Sequence, residues 1–385
     1  MRIRAFRTGL LRIPLRTPFK TAVRTVDSIE DAVLLFETDS GLFAYGEAPP
    51  TVAITGDSLA GILDALQNTL GPALLGRDVR DISGNCGIVQ NALPKNTSAK
   101  AAAEIALYDL YAQSRDLPLY EALGGGTPRL TTDLTISVND TAMMIADCEK
   151  AIGRGFKALK IKVGKQPEDD VGRLQAIHRA VAGRATLRID ANQGWTADQT
   201  IAVLQALDAA GLDFDLIEQP VAADDIKGMQ IIKAAKSRIP LMADESAFDL
   251  AQVKALRAAS AADIINIKLM KSAGLSNAIA IADYCAAQNM ECMMGCMLEG
   301  GISAAAAAGV FLVARLVDAV TDPLMGAIAE RTRTRWGRLR PYLLFGAIPL
   351  GVITVATFTV PDLDESGKVI WAYVTYTLFG VLYTV

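Results

Sequence analysis

The sequence predicts an α/β chain built around a (β/α) barrel, and three observations carry that prediction. From residue 130 onward, short β-rich runs alternate with amphipathic helical ones: LTISV, ALKIKV, TLRIDA, FDLIEQP, PLMADES, DIINIKL and ECMMGCM. Each carries a polar residue of chemical interest, in order Thr135, Lys162, Asp190, Glu218, Asp244, Lys268 and Cys296, and successive members lie 24 to 28 residues apart. That interval is the length of one strand-loop-helix-loop unit. Closing a parallel sheet of such units on itself puts functional side chains at the C-terminal ends of the strands. An open doubly wound sheet uses the same units. The recurrence of catalytic-type residues at one end of every strand favours the barrel, and no glycine-rich dinucleotide fingerprint follows any strand.

The segment before the barrel has another pattern. Apolar and polar positions alternate near 2–13, 30–37 and 42–47, and Asp39-Ser40-Gly41 marks a hairpin turn between the last two runs. Helical periodicity follows around 57–75 and 97–115, the second stretch Ala-rich with a clean apolar face. Gly124, Gly125 and Gly126 then break the chain. The sequence therefore divides into an α+β unit at 1–125, a barrel segment at 126–308 and a tail at 309–385.

Composition narrows the class. A net charge of −4 gives no reason to expect a nucleic-acid partner. Five scattered cysteines give no disulfide framework and suit reduced thiols in a cytoplasmic protein. The arginine-bearing N-terminus has no long apolar core or cleavage signature, so no signal peptide is expected there. The mean hydropathy of +0.28 is high for an enzyme. The excess is concentrated at 341–360 and 370–385, which hold no charged residue. The first of these is long enough to span a bilayer core of about 30 Å, so membrane insertion of the tail is expected.

The chemistry rests on carboxylates and lysines. Asp190, Glu218 and Asp244 end three consecutive predicted strands, and three acids aimed at one barrel mouth repel one another unless a cation sits between them. An all-oxygen set favours a hard divalent ion such as Mg²⁺. Lys160 and Lys162 share a face by strand alternation. Lys268 ends the sixth strand, opposite Lys162 across the mouth. A metal and a second ammonium nearby should lower a lysine's pKa, so that it serves as a base near neutral pH. Removing a proton α to a carboxylate builds charge on the carboxylate oxygens, which a divalent cation stabilises as an enediolate. A base on one face and an acid on the other permit inversion. The one histidine, His178, falls in a helical stretch, so a strand-end His/Asp dyad is excluded.

The ordered set KIK, RIDANQGW, IEQP, MADES and NIKLMKSAG resembles the muconate-lactonizing subgroup of the enolase superfamily, over residues 1 to about 308. The resemblance implies an N-terminal capping domain over an enolase-type barrel, with Mg²⁺ held by Asp190, Glu218 and Asp244. It implies Lys162 and Lys268 as the acid/base pair and Lys160 as an electrostatic, substrate-contacting partner. Arg24 would lie in a cap loop that closes on substrate, and Thr135 and Cys296 would line the substrate. The GCMLEG segment at 295–300 resembles dipeptide epimerases acting on L-Ala-L-Glu-type substrates. A muconate-type cycloisomerase and an N-acylamino-acid racemase are the alternatives on the same core. A homo-oligomer is left open.

The resemblance stops before an eighth strand, where dipeptide epimerases carry an Asp-x-Asp pair for the substrate ammonium. Asp318 and Asp322 fall nearby but four apart in a helix-compatible context, and are not given that role. Residues 309–385 instead resemble a fragment of a glycoside-pentoside-hexuronide:cation symporter, with RTRTRWGRLR as a cytoplasmic loop. A barrel lacking its eighth strand exposes two strand edges. The expectation for the chain as written is membrane association or poor solubility, and weak or absent epimerase activity, in the extreme an inactive membrane-associated fusion.

Overall fold

The period-two alternation near the N-terminus folds as an antiparallel sheet. In the computed structural model, which describes residues 1–20, 25–125, 130–164, 167–235 and 237–314, β1 (Ile3–Lys20), β2 (Thr25–Thr38) and β3 (Phe43–Ala48) pair in the order β1-β2-β3. Ala32, Leu34 and Phe36 of β2 are fully buried on one face. The Asp39-Ser40-Gly41 turn closes as expected: Gly41 adopts φ 83° and donates its N–H to the Thr38 carbonyl. The first two strands run well past the expected segments, because their backbones stay paired out to Lys20 and Thr25 where neither side is deeply buried.

The helices of this unit pack on the inner face. Ser58 caps α1 (Leu59–Asp64) through the Gly61 N–H. A π-helical turn at Ala65–Leu70 leads into α2 (Gly71–Leu74), and together they fill the stretch expected at 57–75. The sequence pattern did not predict α3 (Ile82–Ala92): its two glycines and two asparagines are poor helix formers. Burial of Asn85, Cys86 and Val89 and an Asp81 cap hold it in place. In α4 (Thr97–Gln113) every residue from Ser98 to Leu107 is buried, which explains the alanines. Only small side chains let a helix approach this closely: a Cβ on Gly46 of β3 would lie 1.8 Å from the Ala102 carbonyl oxygen. The short α5 (Leu119–Ala122) ends the unit.

The alternating repeats then fold as parallel β and α. In order they are β4 (Leu134–Ile136), α6 (Thr141–Gly153), β5 (Ala158–Lys162), α7 (Pro167–Val181), β6 (Thr186–Asp190) and α8 (Ala197–Ala209). They continue as β7 (Ile217–Glu218), α9 (Ile226–Ala234), β8 (Leu241–Ala243), α10 (Leu250–Ala258) and β9 (Ile264–Ile267). The last are α11 (Leu269–Ser272), α12 (Leu275–Ala287), β10 (Glu291–Met294) and α13 (Gly301–Ala314). All seven expected runs are strands, paired in chain order from β4 to β10. The sheet curls: Arg188 of β6 reaches Asp133 just before β4 at 3.0 Å and the Met293 sulfur of β10 at 3.7 Å. Leu216, Met242, Ile264 and Met293 form a buried cluster of their own, as a barrel interior requires.

Among the described residues, β4 and β10 are the margins of the seven-stranded sheet, and no helix is long and apolar enough to cross a membrane. Arg24, Asp318, Asp322 and the tail expected to enter a membrane lie outside the described residues.

The cap meets the barrel through buried acids. Gly300 N–H donates to Asp31 of β2, while Ile302 and Ser303 at the start of α13 donate to Glu47 of β3. Burial, a hydrogen bond to Glu47 and the charges of Glu47 and Glu299 push Asp31 up to about 9. A carboxyl that holds its proton more tightly folded than unfolded stabilises fully below its unfolded value, and that contribution is lost as pH rises through the folded one. Asp31→Asn is therefore expected to flatten the fall in thermal midpoint as pH rises toward about 9; an undiminished slope would refute the assignment. At the barrel mouth, Gly164 has φ 100° and a Cβ there would lie 2.2 Å from the Ala191 carbonyl oxygen. Gly164→Ala should lower unfolding stability by about 3 kcal/mol in urea titration, and a loss below about 1 kcal/mol would mean the two loops part freely.

Candidate active site

Strand register assembles the site. Lys162 pairs with Asp190 across β5 and β6, and Asp190 with Glu218 across β6 and β7, so the three ends lie side by side. Asp244 follows β8 and Lys268 follows β9 directly. The acids thus occupy three consecutive strand ends with a lysine on each flank, Lys162 before them and Lys268 after. All three carboxylates are at most 1 % exposed.

Each acid is met by an ammonium. Lys162 Nζ donates to Asp190 Oδ2 and, at 2.8 Å, to Asn192 Oδ1. Lys160 Nζ lies 3.2 Å from Glu218 Oε2, confirming that the two lysines of KIK face the same way. Lys268 Nζ lies 2.6 Å from Asp244 Oδ2. Thr135 is paired in register with Lys160, and Cys296 sits half-buried two residues beyond β10. Arg24 lies outside the described residues.

Four further residues complete the cluster without having been singled out from the sequence. Asn266 Nδ2 donates to Glu218 Oε1 at 2.7 Å. It stands two positions before Lys268, so strand alternation already put it on the inward face. Asn192 belongs to RIDANQGW and Glu245 to MADES, both quoted for their neighbours alone. Lys271 donates to Asp244 Oδ1 at 2.7 Å, and no sequence signal marked it for burial.

The electrostatics follow from this packing. Burial pushes Glu218 up to about 7, reinforced by the charges of Asp190 and Asp244. Burial beside Asp244 likewise holds Glu245 at about 8. For Asp190 and Asp244 burial works upward but the adjacent ammoniums outweigh it, leaving both below the ordinary carboxylate range. With the acids alone around it, Lys268 is shifted the opposite way from the lowering expected beside a metal and a second ammonium. Burial acts downward, but Asp244, Glu218 and Glu245 outweigh it and hold the ammonium above its usual value. Opposite charges dominate because three acids surround one amine.

The donor set suits a hard divalent cation. It is all oxygen, it is buried, and Glu245 Oε2 has no hydrogen-bond partner. Glu218 and Glu245 are pushed upward first by burial and then by neighbouring acids, so positive charge placed beside them would favour their ionised forms. Among the described residues, no three acidic, histidine or cysteine side chains already stand close enough to form a metal group. Each of Asp190, Glu218 and Asp244 instead gives at least one oxygen to a lysine.

Comparison with known proteins agrees with this geometry. The family model described as the mandelate racemase / muconate lactonizing enzyme N-terminal domain matches residues 7–124. The one described as enolase C-terminal domain-like matches 143–332, and one described as MFS/sugar transport protein matches 297–385. The L-Ala-D/L-Glu epimerase of Clostridium acetobutylicum is 44% identical over 312 residues, covering 80% of this chain and 86% of the relative. The substrate-liganded structure of the L-Ala-D/L-Glu epimerase from Bacillus subtilis superposes with a TM-score of 0.81 at 42% identity, covering 83% of this chain and 90% of that one. The dipeptide epimerase from Enterococcus faecalis complexed with Mg and L-Leu-L-Tyr gives 0.80 at 35% identity, with the same coverage. A curled parallel sheet under an α+β cap, acids on three successive strand ends and identity of this extent show that the chain belongs to the mandelate racemase/muconate lactonizing enzyme family of the enolase superfamily.

Proposed function

We propose that this protein is a Mg²⁺-dependent dipeptide epimerase, of the L-Ala-D/L-Glu type, that removes and returns the α-proton of its substrate. One observation carries the reading: two lysines flank an arc of three buried carboxylates on consecutive strand ends. The chain also covers most of the length of dipeptide epimerases to which it is similar. Asp190, Glu218 and Asp244 would hold the cation, and the cation when bound supplies stabilisation of the charge that develops on the substrate carboxylate.

The chain's own residues do the proton work. Lys162 and Lys268 stand on opposite flanks of the arc, so one takes the α-proton from one face and the other returns a proton to the opposite face. Which one acts first depends on the isomer bound. The ion pair with Asp244 keeps Lys268 protonated, as its donor role requires. As a base it must be neutral, which requires the attraction of Asp244 to be spent elsewhere. Asn192 accepts from Lys162 as a second partner beside Asp190 and helps to fix the direction of its ammonium. Lys160 contributes a further positive charge beside Glu218, and Thr135, Cys296 and Arg24 would contact substrate.

A second proposal concerns residues 309–385, supported by the match to MFS/sugar transport protein over 297–385. The tail associates with membranes. Carbonate-washed membranes should retain the full chain and release a 1–308 fragment; full recovery of both in the soluble fraction contradicts this.

Proton transfer is tested by solvent exchange. In deuterated water with Mg²⁺, L-Ala-L-Glu should acquire deuterium at the glutamate α-carbon, and chelation of the metal should abolish the exchange. Lys162→Ala and Lys268→Ala should each lower epimerisation by at least about 1000-fold. Each variant should retain exchange with one isomer only. Exchange of both isomers in both variants would dismiss the two-lysine assignment.

A further inference from the structure

Lys271 takes no part in the proton transfer, yet it is 2 % exposed, among the largest fully enclosed side chains of the described residues. Its Nζ donates to Asp244 Oδ1 at 2.7 Å, to the Asp244 carbonyl, and to the Asn266 carbonyl at 2.8 Å. An ammonium has three hydrogens, and here each has an acceptor. The Phe248 ring centroid lies 5.7 Å from Nζ, within cation–π range. The short helix α11 brings it there: Lys271 lies one turn after Lys268, and its N–H donates to the Lys268 carbonyl at 3.0 Å.

The two oxygens of Asp244 are thus divided. Oδ1 belongs to Lys271, which has nowhere to move; Oδ2 belongs to Lys268, which is 12 % exposed at the mouth. Anchoring Oδ1 on an enclosed partner restricts rotation of the carboxylate, so Oδ2, paired with the more exposed Lys268, is the oxygen able to exchange its partner for a new one. Ligating groups fixed by an outer partner in this way bind metals more tightly, and loss of that partner weakens affinity by about 10- to 100-fold.

We propose that Lys271 is a positioning residue for the cation site: it locks the Asp244 carboxylate so that Oδ2 alone is presented to the ion. The proposal rests on the reading of Asp244 as a cation ligand. It assigns to Lys271 a role in metal affinity separate from the acid/base role of Lys268. The alternative for a buried lysine with two main-chain acceptors is a structural strut between the ends of β8 and β9, and the two make different predictions about metal binding.

Mn²⁺ alone, titrated into the full chain and followed by electron paramagnetic resonance, separates them. Lys271→Met keeps the length and removes the charge, and should weaken Mn²⁺ binding by about 10- to 100-fold. In an Asp244→Asn background the same change should matter by less than about twofold, since partners in one interaction are not additive. Equal weakening in both backgrounds would make Lys271 a strut and overturn the proposal, as would wild-type affinity in Lys271→Met. Lys271→Gln, which retains donors, is the companion variant; if neither folds by near-ultraviolet circular dichroism, the residue serves the fold and the proposal falls. If Asp244→Asn alone leaves Mn²⁺ binding intact, the ligand assignment itself is at fault.

Discussion

Burying carboxylates in a barrel mouth is tolerable only if positive charge is buried with them, and that constraint organises this molecule. Asp190, Glu218, Asp244 and Glu245 are met by Lys160, Lys162, Lys268 and Lys271. An isolated ion at such depth would cost several kcal/mol even after relaxation. In this cluster each acid is instead attracted by ammoniums or, where attraction falls short, pushed toward its neutral form. Glu218 and Glu245 show the second outcome. Under the proposed function these acids would exchange internal ion pairs for an external cation, and two of the four compensating lysines, Lys162 and Lys268, are the groups assigned to proton transfer.

A similar use of acids joins the cap to the barrel. Glu104 of α4 accepts from the Ser276 N–H and hydroxyl at the start of α12, and Gln90 of α3 donates to it at 2.8 Å. Glu47 of β3 does the same for Ile302 and Ser303 at the start of α13. Both carboxylates belong to the N-terminal unit, and both satisfy free N–H groups where a helix begins and the dipole favours negative charge. The two helices thus held follow the ninth and tenth strands, just beyond whose ends lie Lys268 and Cys296. Packing of the cap is in this way coupled to the position of Lys268 and Cys296, the groups proposed to act on and line the substrate. The close contact of Gly274 with Glu104, at a φ of 122°, shows how little room that junction leaves.

Loop geometry at the mouth depends on a few small residues and one acid. Asp170 accepts from the Gly164 N–H at 2.9 Å and the Trp195 indole at 3.2 Å, tying the loop after β5 to the loop after β6. Gly164 and Gly194 let those loops touch through their backbones. Gln219, with φ 32°, accepts from Asp244 N–H and Ser246 N–H and so aligns the end of β8 with that of β7. None of these residues contacts substrate in the proposed mechanism. They help to set the spacing of Lys162, Asp190, Glu218 and Asp244.

By itself the chain of residues determined the succession of strands and helices, the inward face of KIK, and the three acids and two lysines at strand ends. Those features are local: a period of two or of 3.6, and a repeat interval, are properties of neighbouring residues. Tertiary structure decided what periodicity does not encode. It buried Lys271, gave Asn266 its partner on Glu218, and held α3 in place despite poor intrinsic helix propensity. It also set the direction of the Lys268 shift among the acids alone, because a pKa depends on the distances and count of surrounding charges. Only folding brings residues distant in sequence within the few ångströms over which those forces act.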